Sequence, residues 1–555
     1  MPVQSAINFL KTRLQSIDRV VLLCLLIGIF MGAQGLTWGG YDCLNLDRMA
    51  FRDVTNSKRG YLEPATFDKP PFYTYLVYFG IVVPGDALAK RAGNSWTDKV
   101  TAESLRLTGE LIAARLAQLA MFAACVIFLF SYAREFFGLA AARATAILFA
   151  TAAGFVPYQV YLTTDLALVF WMLAALTACR WIIRSPGIGP SVLAGVLTGL
   201  ATATKYNGLA VGLAIPLAHL LVPGPRPFLS ALKRPGPYLG VLAVPLSFII
   251  VNPYCLLRSE KFVADFMFNY RVTPVYAGEI NGGYQKFALA FREIFGTPMS
   301  WLLVPLILLG VWMVISHRHE RMWRGLVLVA GCFFLYAWKI GAFPRVETRF
   351  VIPAAPFALL MAAPGLAWLA ARSRWLLAAL VLPLACYGLA SSWYTARRFA
   401  NDPRMEALAW AEKNLPVGAK VEMSGSSPNW RRMPGRKIEV KKMPYNTDQI
   451  ALFDKLFPND HWVQDRNNED RVERSGSFFT AEELAKRNPD YISADSIDLR
   501  GSSTGFYDQL LAGQLGYRIV FDQESAPVPA WVYPEHPEFV ENRITILERA
   551  PAVGK

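Results

Sequence analysis

Tyr41-Asp42-Cys43-Leu44-Asn45-Leu46-Asp47-Arg48-Met49, Gly60-Tyr61-Leu62-Glu63-Pro64 and Phe67-Asp68-Lys69-Pro70-Pro71-Phe72-Tyr73 follow directly on an apolar run from Val20 to Trp38. Carboxylates, a lysine and a rigid diproline thus stand just outside a membrane-length segment. Ionisable groups at the mouth of an apolar bundle are costly, and they usually mark chemistry. The plain alternative is a solvated loop.

The rest of the chain has the same character. Its 555 residues are 54% hydrophobic and 18% charged, with a mean hydropathy of +0.29. Val20–Trp38 is too long and too poorly flanked for a cleaved signal peptide. Approximate apolar cores lie at 20–38, 110–132, 139–156, 165–183, 190–204, 207–222, 238–256, 299–316, 325–339, 350–371 and 375–393. They predict about eleven membrane helices.

The formal charge is +14. Residues 396–555 hold 22 basic and 24 acidic side chains, so the positive surplus belongs to the apolar part. That favours a membrane explanation over a nucleic-acid one. Arg134, Arg143, Arg180, Arg184, Arg226, Lys233, Arg234, Arg318, Arg321, Arg324, Arg372 and Arg374 fall on one side of the eleven-helix path. Lys11, Arg13 and Arg19 join them there. The positive-inside rule makes that side cytoplasmic. Loops 39–109 and 257–298 and the tail then face outward. Loops of that length predict short surface helices.

The seven cysteines show no CxxC spacing and none follows Cys386. Zinc and redox motifs are thereby disfavoured, and the tail must fold on a hydrophobic core. The tail alternates helix and strand. Asp402–Trp410 and the segment after the N-cap signal Thr480 read as helices. Segments 420–423, 490–493, 517–521 and 544–547 read as strands. The expected organisation is a transmembrane domain over 1–395 and a small α/β domain over 396–555.

Several residues carry candidate chemistry. Asp42 suits a general base shielded by helices, or a plain helix cap. Asp47 could act beside it or pair with Arg48 or Arg52. Two prolines hold Lys69 in one direction, and lysine is a point charge for phosphate. Asp165 either caps the fourth span after Thr163-Thr164 or supplies a second carboxylate to the same cavity. Lys205, in Thr204-Lys205-Tyr206-Asn207-Gly208, could snorkel or bind an anion. Arg345 and Arg349 lie against the charge bias, which favours an anion site, although Glu347 could neutralise one of them. Arg271 stands among Phe266, Phe268, Tyr270, Tyr276 and Tyr284, aromatics suited to the headgroup level or to a sugar face.

Together these motifs resemble the GT-C glycosyltransferases, in particular the bacterial relatives of protein O-mannosyltransferases and of lipid A aminoarabinose transferase. The carrying residues are Asp42–Ala50, Gly60–Pro64, Asp68–Pro71, Asp165, Gly199–Gly208 and Arg349–Pro353, with Asp402–Pro416 and Pro489–Tyr491 in the tail. The resemblance covers nearly the whole chain. It implies transfer of a sugar from a polyprenyl-phosphate donor to a lipid, glycan or protein acceptor outside the cytoplasm, usually with inversion. A bacterial inner membrane with a periplasmic active site fits it. By the same resemblance Asp42 matches the base, Lys69 the lysine on the donor phosphate, and Asp165 a second functional acid. Asp68 matches an acid that contacts a divalent metal in some members, the one cofactor implied. Asp42-Cys43 replaces a common Asp-Glu, which moves that Glu's role towards Asp47. Tyr75-Leu76 replaces the Tyr-Trp of many aminoarabinose enzymes, which leaves sugar and acceptor open.

No Gly-Lys-Ser/Thr phosphate loop occurs, in keeping with a donor that is not a nucleotide. A transporter would show breaks in two corresponding halves, and no such repeat is visible. A polysaccharide ligase or flippase-like protein handling the same lipids, and a receptor using its tail, are the other readings.

Overall fold

The computed structural model describes residues 18–39, 61–91, 99–224, 231–272, 283–316, 319–343, 346–423, 439–442, 479–495, 505–525, 527, 529, 531–532 and 543–550. Among the described residues, six helices are long and apolar enough to cross a membrane: Thr108–Phe137, Thr164–Arg184, Thr297–Ser316, Glu320–Gly341, Thr348–Arg372 and Arg374–Asn414. Leu139–Ala150 and Ala153–Val160, bent by 56° at their junction, make a seventh if counted as one span. The described residues therefore hold six or seven candidate membrane spans, the character of a membrane protein.

The other stretches expected to be spans are helical but shorter: Arg19–Ala33, Ile188–Thr204, Tyr206–Leu220 and Pro235–Val251. Phe72–Leu88 is a fifth short apolar helix, inside the segment expected to be a loop. Its Pro84-Gly85-Asp86 dilutes the hydropathy that a sequence window measures. The other expected loop holds two helices, Ser259–Val272 and Gly283–Phe295. The second buries Phe287, Ala290, Ile294 and Phe295, so it is packed on the protein as well as amphipathic.

Ile188–Thr204 and Pro235–Val251 run side by side because glycines remove the side chains between them. A Cβ on Gly195 would meet the Gly240 carbonyl oxygen at 2.0 Å, and one on Gly199 would meet Ser247 Oγ at 1.8 Å. Small residues let backbones approach where lipid offers no hydrophobic driving force. The spans Thr164–Arg184 and Thr348–Arg372 are the most enclosed, while Thr297–Ser316 presents Trp301, Val304, Leu308, Trp312 and Ile315 outward.

The bundle has two unlike ends. At the lower end Asp18 takes both Arg143 Nε and Nη2, and Glu135 pairs with Arg180 and Arg184. Arg143, Arg180 and Arg184, assigned to one side by sequence, sit here. At the upper end Trp38, just past the Arg19–Ala33 helix, is buried against Tyr161 and Phe399. Its indole N–H donates to Asp402 Oδ2 at 2.9 Å. Arg404 grips the same carboxylate with two bonds of 3.0 and 2.7 Å. Arg115 holds the Leu36 and Val160 carbonyls beside them.

From this knot the Pro403–Asn414 helix leads to a five-stranded sheet of order β2-β1-β3-β5-β4. The strands are β1 Lys420–Met423, β2 Glu439–Lys442, β3 Tyr491–Asp495, β4 Tyr517–Glu524 and β5 Arg543–Arg549. β1 is parallel to β2 and β3, and β5 is antiparallel to β3 and β4. Four of the five strands match segments read from sequence, as do two of the three described helices, Pro403–Asn414 and Ala481–Arg487; the third, Phe506–Leu511, was not foreseen. The Thr480 hydroxyl caps its helix by accepting from the Glu483 N–H at 3.3 Å. Ala407, Leu408, Ala411, Val421, Ile544 and Ile546 form a core without disulfides.

Candidate functional site

The upper end is where helices break. Lys205 is extended (φ −157°, ψ 133°) between the Ile188–Thr204 helix and a 3-10 turn over Tyr206–Leu213. Glu347 is extended before the short helix Thr348–Val351. Tyr161 is extended between Val156–Val160 and Thr164–Arg184. Non-helical backbone at this depth is tolerated where protein buries it or where it lines a cavity.

The Lys205 break aims its side chain inward. Lys205 Nζ lies 2.6 Å from Asp165 Oδ1, and both side chains are largely enclosed. Thr163, not Asp165, occupies the N-cap position, and its side chain makes no cap bond. Asp165 is in the first turn, fully buried, as an ion-pair partner. Capping was the sequence alternative for Asp165; pairing is what the structure gives. Gln118 supports the preceding turn, its amide donating to Tyr73 Oη at 2.8 Å and to the Thr163 carbonyl at 3.0 Å.

Arg349 joins them. Its guanidinium lies 5.3 Å from the Phe350 ring centroid, and Lys205 Nζ lies 5.0 Å from the same ring. Arg349 is within electrostatic reach of Asp165 and forms an ion pair with Glu347. The neutralising role open to Glu347 in the sequence is thus realised. Tyr336 Oη donates to the Phe350 carbonyl at 2.8 Å and fixes this corner.

The Asp68-Lys69 loop is clamped onto the same end. Glu63 takes Arg258 Nε and Nη2 at 3.0 and 3.2 Å. Tyr254 Oη donates to the Tyr61 carbonyl at 2.6 Å, and Tyr75 Oη to the Leu62 carbonyl at 2.7 Å. Leu62 has a φ of 67°, which an L-residue holds only when its surroundings fix it. Lys261 Nζ donates to the Ala65 carbonyl at 2.6 Å and pairs with Asp265 at 2.8 Å. Asp68 accepts from the Thr66 hydroxyl. Pro70 and Pro71 are buried, and Pro71 starts the Phe72–Val77 helix.

Asp165, Lys205, Arg349, Asp68 and Lys69 therefore share one end of the bundle. Asp42, Asp47 and Arg345 lie outside the described residues. Arg271 falls on the Ser259–Val272 helix, but its side chain lies outside the described residues. Among the described residues no three His, Cys, Asp or Glu side chains gather as a metal site. Sequence reading missed the partners: Arg258, Lys261 and Asp265 stand about 195 to 198 positions from the loop they hold. Glu293, bonded to the Thr348 hydroxyl beside Arg349, was missed as well. No local signal marks such pairs.

Residues 101–254 match the family described as dolichyl-phosphate-mannose-protein mannosyltransferase. Among solved structures, the chain is similar to ArnT from Cupriavidus metallidurans bound to undecaprenyl phosphate: 14% identity, 97% of this chain and 98% of that chain covered, TM-score 0.54. The apo state of that protein gives 14% identity, 98% of each chain and a TM-score of 0.52. The apo oligosaccharyltransferase of Archaeoglobus fulgidus shares 14% identity over 86% of this chain and 69% of that chain, with a TM-score of 0.47. A comparison with curated protein sequences found no match. The fold is that of the GT-C glycosyltransferases, as the resemblance of the motifs implied.

Proposed function

We propose that the protein is a membrane glycosyltransferase that moves a sugar from a polyprenyl-phosphate carrier to a lipid, glycan or protein acceptor. The reading rests on one observation above all: the buried Lys205–Asp165 pair sits at a helix break beside Arg349 and the clamped Lys69 loop. Cations placed at headgroup depth suit a lipid phosphate whose tail stays in the bilayer.

In the proposed step an acceptor hydroxyl attacks the anomeric carbon and passes its proton to Asp42. The bond from that carbon to the phosphate oxygen breaks. The polyprenyl phosphate leaves with the electron pair, and the configuration inverts. Lys69 and Arg349 stabilise the developing charge, with Lys205, Arg345 and Arg271 behind them. Asp165 holds Lys205 in place and keeps the pocket's positive charge from being excessive. Stabilising a leaving phosphate and taking one proton are the two tasks such a transfer sets. Asp68 is the residue that would hold a divalent metal if one takes part, and Asp47 is the second acid of the 41–49 segment.

The basic lower end points to the cytoplasm by the positive-inside rule. The site and the mixed sheet then face the periplasm of a bacterial inner membrane, with residues 1–395 as the catalytic domain and 396–555 as the soluble one.

The test is sugar transfer by purified protein from a panel of polyprenyl-phosphate donors, comparing wild type with Asp42→Asn and Lys69→Ala. Transfer abolished by both changes in folded protein supports the assignment. Undiminished transfer moves the site elsewhere. No turnover with any donor and a varied acceptor set favours a transporter or a ligase-like protein.

A further inference from the structure

Tyr206 connects the two halves of the site. It follows Lys205 in the chain, and its hydroxyl donates to the Phe67 carbonyl at 2.8 Å. Phe67 immediately precedes Asp68-Lys69. The Phe67 N–H donates in turn to Asp265 Oδ2 at 2.9 Å, so the backbone of Phe67 is held on both sides. Past Lys69 the chain enters the buried diproline, which leaves Lys69 little backbone freedom. The Tyr206 ring is fixed independently, edge-on to Phe266 at 5.0 Å and tilted against Phe248 at 6.4 Å. Its backbone is set by the same break that sends Lys205 to Asp165.

We infer that Tyr206 is a positioning residue: it sets the register between Lys69 and the Lys205–Asp165 pair, so that cations from two distant segments converge on one phosphate. The inference rests on the function proposed above and adds to it the element that couples the two cations. It predicts a specific dependence. Without its hydroxyl the ring still packs, the fold persists, and Lys69 loses its fixed distance to Lys205. The loss appears in donor affinity and only while Lys69 is present.

The experiment measures binding of sugar-free undecaprenyl phosphate, and the donor KM and kcat, for wild type, Tyr206→Phe, Lys69→Ala and the double variant in detergent. Tyr206→Phe is expected to weaken phosphate binding and raise the donor KM roughly 10-fold, the scale of one buried hydrogen bond. The acceptor KM stays unchanged, and the melting temperature falls only slightly, as the loss of one hydrogen bond requires. On the Lys69→Ala background the same change adds less than about 2-fold, because contacting residues that act together are not additive. Multiplicative losses in the double variant, or a Tyr206→Phe protein that binds like wild type while Lys69→Ala does not, would overturn the positioning role and leave the proposed function standing. Equal binding by wild type and Lys69→Ala overturns both.

Discussion

Lys205 Nζ and Asp165 Oδ1 are 2.6 Å apart across 40 positions of sequence, and each stands where its own helix starts or stops. The pair is a consequence of the break. A helix continued through Lys205 would turn its side chain along the span, whereas the extended residue sends it sideways to the start of the Thr164–Arg184 helix. One broken helix thereby places a cation, occupies a buried acid and opens the turn from which Tyr206 reaches the Lys69 loop.

Breaking this pair from one side leaves a buried charge alone. Lys205→Met should therefore cost roughly 3–5 kcal/mol, while Lys205→Met combined with Asp165→Leu should recover most of it, since apolar replacements of buried pairs are often neutral. Unfolding in detergent with increasing denaturant measures both. Equal stability of the single and double variants would show that the pair is not coupled.

Glycine at 199 is required by contact. Gly199→Ala brings a Cβ onto Ser247 Oγ and to 2.5 Å from the Val244 carbonyl oxygen, so the two helices must separate at a cost of about 1–3 kcal/mol. Gly189, with open space where its Cβ would be, should accept alanine with a gain of up to about 1 kcal/mol. Thermal melting of the two variants side by side checks the contrast, and the same sign for both would refute it.

Glu293 should make stability depend on pH. Burial pushes its carboxyl above the ordinary range, against the pull of Arg292 and Lys286. An acid raised on folding favours the folded state below its unfolded value, and that contribution is lost as pH rises through the folded one. Glu293→Gln keeps a partner for Thr348 without the charge. It should match wild type near pH 4 and melt higher by about pH 8, and parallel curves would contradict this reading.

Asp522 gives the opposite sign. The Arg543 bond holds its carboxyl below the ordinary range, burial opposes this, and the Thr545 hydroxyl adds to the lowering. Its contribution is present above the unfolded value and fades as pH falls through the folded one. Both side chains are more than a third exposed, so screening limits Asp522→Asn to about 0.5–1 kcal/mol. The loss should appear at neutral pH and vanish under acid. A constant difference across the titration would remove the ion pair from the account.

The apolar stretches were legible because each buries or exposes nearly uniform hydrophobic surface, and hydropathy reports that without knowing the neighbours. Their lengths were less so. Ile188–Thr204 is stopped by Lys205, which turns to Asp165 on another helix, and Pro235–Val251 by Asn252, whose amide bonds back to the Phe248 carbonyl in its own last turn. Lys69, Asp165, Lys205 and Arg349 stood out in the sequence because charge in or beside a membrane-length segment is conspicuous. Their relations were hidden: nothing near Glu63 announces Arg258, and nothing near Phe67 announces Tyr206. β2, four residues with Lys441 and Lys442 at its end, lacks the alternation that revealed the other strands.

The tie between Trp38 and Asp402 bears on the order of synthesis. A ribosome makes Trp38 early and Asp402 364 positions later. Until then the indole N–H lacks the carboxylate it donates to, while Arg115 can already hold the Leu36 and Val160 carbonyls. The Trp38–Asp402 contact thus closes only after every helix from Arg19 to Ala400 has been made.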